Sequence, residues 1–327
     1  MTTVPAAVPA DAELPPPQGL WADAWQRLRC NPGAIAGFAL VIAFVTVAIF
    51  APLIAPASPR AQDLGAVAGG CCPGPSRAHL LGVDALGRDE LSRVLYGARF
   101  SLLIGVVAVA VGLSLGLILG AVAGFYGRFL DGLIMRLMDI MLAIPGFLMA
   151  IGIVALLGPG LTQIMIAIGV VNVPIFARLL RGAVLAQKQN DFVLAARAVG
   201  VRPRLILVSH VLPNAISPVI VQGTLALATA IIDAAGLGFL GLGPQDPATP
   251  EWGTMLTDTV RYLQSAPHLA LAPGIAIVLS VLGFNLIGGR AARGARPEAA
   301  GACVAWPCAA QRRCPARRPR RCWPLTA

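Results

Sequence analysis

Six stretches of about 20 mostly apolar residues recur along the chain, and little but a bundle of membrane-crossing helices accommodates them all. About 20 residues at 1.5 Å each cover a hydrocarbon core about 30 Å thick. The stretches run from Ala34 to Ala55 with no charge, Ser101 to Phe125, Leu133 to Leu157, Leu161 to Leu180, Ala215 to Leu240, and Leu269 to Gly288. In the third, Arg136 and Asp139 lie near the start, which places that end at the interface or against protein. Composition agrees: 57% of the 327 residues are hydrophobic and 12% charged, about half the charge of a soluble domain. The expected class is therefore all-α and polytopic with six transmembrane helices, and disorder, coiled coil and disulfide scaffold are excluded. An even number of crossings returns both termini to one side.

The formal net charge of +10 suggests nucleic acid until it is located. From Arg290 onward there are nine arginines and one acid, Glu298, whereas residues 1–289 carry 16 basic and 14 acidic side chains. The body therefore offers no field for a phosphate backbone, and no nucleic-acid partner is expected. Cys303, Cys308, Cys314 and Cys322 sit in the same tail at spacings that match no zinc site. Cys71 and Cys72 are adjacent, and neighbouring cysteines rarely bridge, so no disulfide framework is expected. The first apolar stretch is too long and too far from the N-terminus for a cleaved signal, and reads as an anchor. With the N-terminus inside, inner segments hold ten Lys or Arg before the tail and outer segments six. That bias puts both termini in the cytoplasm.

Several motifs imitate chemistry. Gly112-Leu-Ser114-Leu-Gly116 fits the G-x-S-x-G elbow but lies inside an apolar stretch, where Gly112, Gly116, Gly120 and Gly124 instead give one helix face close packing. Gly236-x-Gly238-x-x-Gly241 fits a dinucleotide fingerprint but ends a span and leads to Pro244, so it reads as a turn. Lys188 is the one lysine and follows no glycine-rich loop, which excludes a P-loop. His79, His210 and His268 are far apart, and each is expected to be solvated or interfacial, with no metal site and no catalytic residue. Asp233 is the deepest ionisable residue of the spans and, with Gly238, Gly241 and Gly243, is a candidate gate or intramembrane polar group.

The most informative segment joins spans four and five. From Asp191 to Val199 a short helix is expected, with small residues at Ala195, Ala196 and Ala198 and a C-terminal cap at Gly200. Pro203 can start a second turn, and His210, Leu212 and Pro213 lead into span five. A helix-turn-helix of this kind can fit a groove of another protein.

This segment resembles the EAA loop of ABC importer permeases: Glu-Ala-Ala, three residues, Gly, nine residues, an apolar position, one residue, then Leu-Pro. Ala195, Ala196, Gly200, Leu212 and Pro213 match, whereas Leu194 stands where Glu is usual and His210 where Ile is usual. Asn31-Pro32, Ala51 to Pro56, Leu81 to Asp89, Gly238 to Gly243, Pro250 to Gly253 and Gly283 to Leu286 look like the second permease subunit of dipeptide, oligopeptide and nickel importers. The resemblance implies a type I importer permease in a bacterial inner membrane, with no active site or bound cofactor of its own. Its implied partners are a sister permease, cytoplasmic ATPases that use ATP and Mg, and a periplasmic or lipid-anchored substrate-binding protein. Asp191 to Pro213 would be the coupling loop. Short peptides are the favoured cargo, with nickel complexes and glutathione open.

The implied organisation is a cytoplasmic segment at 1–33, a first helix at 34–55 and a periplasmic loop at 56–100. A five-helix core follows at 101–288, with the EAA loop at 186–214. Residues 289–327 form a basic tail whose Arg, Ala, Pro, Cys and Trp content is what a GC-rich frame yields when read out of register, so a frameshift near Gly288 is expected. The rival reading, a secondary transporter working alone, would require inverted repeats or charged midplane sites. The chain has no visible internal repeat and few intramembrane charges.

Overall fold

The computed structural model describes residues 32–246 and 249–294, with side chains to 289. Its principal elements are α1 (Pro32–Ile54), α2 (Glu90–Tyr126), α3 (Arg128–Ala143), α4 (Gly146–Leu157), α5 (Leu161–Gln187), α6 (Asp191–Ala198), α7 (Pro203–Ile206), α8 (Leu212–Ala215), α9 (Ser217–Leu237), α10 (Trp252–Thr259) and α11 (His268–Gly294). The described residues contain only isolated β-bridges, Gln62 with Arg88 and Val83 with Asp89. The chain is a helical, multi-span membrane protein. Five helices are long and apolar enough to cross a bilayer, and α3 with α4 forms a further pair bent by 91°.

The bend departs from the expected straight third span. Its cause is local: Pro145 pushes Ile144 into extended backbone (φ −91°, ψ 129°), ending α3, and supplies the N-cap of α4. Legs of 16 and 12 residues are about 24 and 18 Å long, and at a right angle their far ends lie about 30 Å apart. The pair thus covers one membrane thickness.

That it makes one crossing follows from the packing of α2 on α5. A Cβ added at Gly112 would lie 2.7 Å from the Cβ of Asn172, and one at Gly116 would lie 2.6 Å from the Cβ of Phe176. Gly120 faces the backbone of Ala177, and Gly124 faces Arg181 and Val184. Residue numbers rise together, so α2 and α5 run parallel. The chain must return across the membrane between them, and α3 with α4 is the return. Gly37 of α1 meets Gly283 and Leu286 of α11, and Gly288 meets Thr224 and Leu225 of α9. The start of α1 and the end of α11 therefore share one face, called inner below, as six crossings require. Ser114, in the imitation elbow, donates to the Val111 carbonyl (3.0 Å) inside α2.

Other boundaries shift outward from expectation. Asp89 caps α2 by accepting from the Ser92 backbone N–H (2.8 Å), so the helix starts at Glu90 rather than at residue 101. Its 37 residues make a rod about 55 Å long that projects well beyond the membrane core. Helix α11 continues to Gly294, past Gly288. The Cys71 and Cys72 sulfurs lie side by side in the outer loop, which makes no framework between distant segments. The frameshift reading concerns a tail that lies, from residue 295, outside the described residues.

Candidate functional site: the inner loop and the outer cap

Helix α6 is held at the inner end by one buried contact and an ordered termination. Val193 is fully buried, together with Ile206, Val211 and Ala215, against Phe125, Leu180 and Val184. Gly200 takes φ +83°, its N–H bonds the Arg197 carbonyl (3.0 Å), and the Val201 N–H bonds the Ala196 carbonyl (3.1 Å). These two bonds make a Schellman motif, the cap expected from the spacing. Space around a Cβ at Gly200 is open, so glycine is required there by φ and not by crowding. Pro203 opens α7 as expected. A π-turn over Leu207–Val211 then adds a residue before α8, in which Pro213 occupies the first turn.

The outward surface of α6 carries Asp191, Phe192, Leu194, Ala195 and Ala198, followed by Val199, which is 83% exposed. Ala196 turns inward onto the core. The two expected contact alanines thus have different surroundings, Ala195 free and Ala196 packed. His210 is half-buried with an unpartnered Nδ1, and its carbonyl accepts from Asn214 (2.7 Å). This histidine is therefore partly buried rather than fully solvated. Leu212 packs on the core and Pro213 is exposed.

One polar tie fastens this loop to the bundle and two more join α5 to α3 beside it, and spacing alone does not reveal them. Lys188 donates to the carbonyls of Gly124 (3.2 Å) and Phe125 (2.8 Å), the last turn of α2, and lies 5.5 Å from the Phe125 ring centre. A helix C-terminus leaves four carbonyls without partners, and a cation there complements the dipole. Arg181 of α5 makes a two-pronged pair with Asp131 of α3 (2.5 and 2.7 Å), and Arg178 pairs with Asp139 (2.5 Å). Of the two charges near the start of span three, Asp139 makes this half-exposed pair and Arg136 is exposed.

At the opposite end, α9 runs into a π-turn, Gly238–Leu242, with Gly241 at φ +79°. Gly238 is buried where a side chain would meet the Glu251 carboxylate and the Thr254 backbone, and Gly243 packs beside it on Thr254. The Thr257 hydroxyl is shared between the carbonyls of Gly238 (3.1 Å) and Phe239 (2.8 Å). Glu251 is fully buried and caps α10, accepting from the N–H groups of Gly253 and Thr254 (2.9 Å each) and from Ser101 (3.4 Å). Burial pushes its carboxyl up to about 7, against the pull of those N–H groups. Trp252 is buried on Gly97 of α2 and donates to the Val94 carbonyl (3.1 Å). The outer cap is thereby bolted to the projecting end of α2.

The outer loop joins the same cap through buried charge. Asp84 accepts from Arg88 (2.6 Å) and Arg93 (2.5 Å), and both arginines also reach Asp258 of α10 (3.5 and 3.3 Å). A cavity of about 520 Å³ opens beside them. His79 bonds Asp89 (3.0 Å), which raises the pKa of the imidazole, and Asp63 also lies nearby (3.5 Å). His268 packs against Gly82 with a buried, unpartnered Nε2, so neither histidine is simply solvated. Asp233 lies in neither group. It is half-buried on α9, five residues before Gly238, and no partner reaches its carboxylate among the described residues. No set of three potential metal ligands gathers among the described residues.

Residues 116–297 match the binding-protein-dependent transport system inner membrane component, and residues 19–68 match the N-terminal TM domain of oligopeptide transport permease C. The chain is 47% identical over 268 residues to a dipeptide transport system permease of Alkalihalophilus pseudofirmus, covering 82% of this chain and 86% of that one. It is 46% identical over 266 residues to a di/tripeptide permease of Pseudomonas aeruginosa, covering 81% and 88%. A glutathione permease of Escherichia coli is 45% identical over 269 residues, covering 82% and 87%. Among solved structures, the inward-facing methionine ABC transporter MetNI matches with a TM-score of 0.51 at 20% identity, over 62% of this chain and 96% of that one.

Proposed function

Because the chain belongs to the family of binding-protein-dependent transport inner membrane components, we propose that it forms one half of a peptide-conducting pathway and couples to separate ATPases through α6. It is a permease subunit of an ABC importer, embedded in the membrane by six crossings. The cargo is short peptides, as the names of the dipeptide and di/tripeptide relatives suggest. A nickel complex is a less favoured alternative, and glutathione, itself a tripeptide, is a variant of the same reading. The other half of the pathway is a sister permease, and a substrate-binding protein delivers cargo to the outer cap. ATP and Mg are used by the ATPases, and this chain performs no chemical step.

The observation that carries the coupling role is the exposed small and apolar surface of α6, ended by the Gly200 cap and pinned at the inner end by Val193 and Lys188. Eight of the ten inner basic residues that favour a cytoplasmic location lie on α3, α5 and this loop, at that same end. The inner face is then cytoplasmic in a bacterial inner membrane. ATP binding can shift an inward–outward equilibrium only by its differential affinity for the two states, and moving from 1:99 to 99:1 takes about 5.5 kcal/mol. Helix α6 is where that energy enters.

The test is co-purification of the ATPase with the solubilised complex. The wild type is expected to retain both sister permease and ATPase. Ala195→Asp is expected to lose the ATPase alone, because Ala195 faces outward and its replacement leaves the core untouched. Full retention of the ATPase by Ala195→Asp would remove α6 from the interface.

A further inference from the structure

Asp233 belongs to neither the coupling loop nor the outer cap, and its depth can be read from the backbone. The Gly160 N–H bonds the Leu242 carbonyl (3.1 Å), so the start of α5 and the end of span five share the outer level. Asp233 lies four residues before the end of α9 at Leu237, about 6 Å along the helix, and just below the outer cap, whose Gly253 meets the Ala235 backbone, so it is still within the span. A charged side chain at that depth is costly and must face protein or a water-filled space.

Neighbouring features show the same face to be unfit for lipid. Gln222, Thr229, Asp233 and Gly236 are spaced by seven, four and three residues, which puts all four on one side of α9. All are half-buried or exposed, and neither Gln222 nor Asp233 has a hydrogen-bond partner among the described residues. Beside them, the Phe147 ring touches the Gly236 position, and Gly146 sits against Val171, ten residues below the outer end of α5. The break at Ala143 to Pro145 therefore lies within the span and is exposed. Irregular backbone at membrane depth is tolerated only where protein covers it or water lines it.

We infer that this stripe lines the cargo pathway and that the Asp233 carboxylate receives the α-ammonium group of the passing peptide. The inference rests on the peptide reading above. The relatives named for dipeptides, di/tripeptides and glutathione act on molecules that carry a free ammonium group. A cation of the sister permease could also neutralise one carboxylate. The polar line continuing through Thr229 to Gln222, about 16 Å nearer the inner face, is what a moving polar cargo needs and a single ion pair between subunits does not.

The experiment uses the complete transporter in proteoliposomes with its binding protein, and a panel of free dipeptides beside their N-acetyl forms. The wild type is expected to prefer the free forms. Asp233→Asn is expected to lower uptake of free dipeptides at least tenfold, toward the N-acetyl level, with subunit composition and cargo-free ATP turnover unchanged. Asp233→Glu is expected to recover most of the loss. Unchanged uptake by Asp233→Asn, or loss of the sister permease from that variant, would overturn the assignment while leaving the peptide reading intact. A wild-type complex that moves none of the dipeptides would remove the peptide reading and this assignment together.

Discussion

Glu251 shows how one side chain ties the outer cap to solution conditions. Its carboxyl titrates at about 7 in the fold, against an ordinary value of 4.5, because burial disfavours the charge. The folded state therefore holds a proton that the unfolded state releases earlier. The stabilisation this proton brings is complete below about 4.5 and is lost as pH rises through about 7. Amide exchange over residues 250–262 should thus quicken as pH is raised from 5 to 8, after correction for the intrinsic rate. Glu251→Gln should flatten that dependence, since an amide keeps one acceptor for the cap without a charge to desolvate. An unchanged pH profile in the variant would assign the dependence to the neighbouring Asp258, whose carboxyl is also raised by burial.

At the scale of elements, the glycine ladder between α2 and α5 makes a prediction of opposite sign at two glycines. Gly116→Ala places a methyl group 2.6 Å from the Phe176 Cβ and 2.9 Å from the Val173 carbonyl, forcing two backbones apart. Overpacking of this kind costs about 1–3 kcal/mol. Gly132→Ala on α3 meets nothing within 4 Å and gains the helix preference of alanine, about 1 kcal/mol. Thermal melting of the solubilised chain should fall for the first and hold or rise for the second; equal shifts would remove the ladder as the fixed contact of the bundle. The ladder was legible because a four-residue repeat of one small residue type maps directly to a helix face. Gly200 was legible because a cap needs a left-handed residue just past an apolar run. The bend between α3 and α4 was not found, although Pro145-Gly146 marks it, because hydropathy averages across a break that leaves both legs apolar. The outward reach of α2 was hidden for the converse reason: Arg93 and Ser101 look like loop residues until Asp84, Asp258 and Glu251 arrive from elsewhere to bury them. Such long-range pairs have no local signature.

For the whole molecule, α2 is the part that reaches both working ends. Its inner turn is held by Lys188, next to the coupling helix, and its outer end carries Trp252 and Glu251 of the cap about 40 Å away along the same rod. The ladder makes α2 and α5 one body, so a push on α6 reaches the cap without any intermediate hinge within that pair. Coupling must then depend on how firmly Lys188 transfers force to the α2 terminus. Lys188→Met keeps the aliphatic stem over Phe125 but removes the bonds to the Gly124 and Phe125 carbonyls, each charge-assisted and worth about 1.5–3 kcal/mol. The expected result in the reconstituted transporter is a severalfold fall in peptide imported per ATP hydrolysed, with ATPase binding retained. Lys188→Arg should restore the ratio because a guanidinium can still donate to both carbonyls. If uptake and hydrolysis fall in proportion in Lys188→Met, the residue only stabilises the loop, and force must travel instead through Val193 and the apolar seam beneath α6.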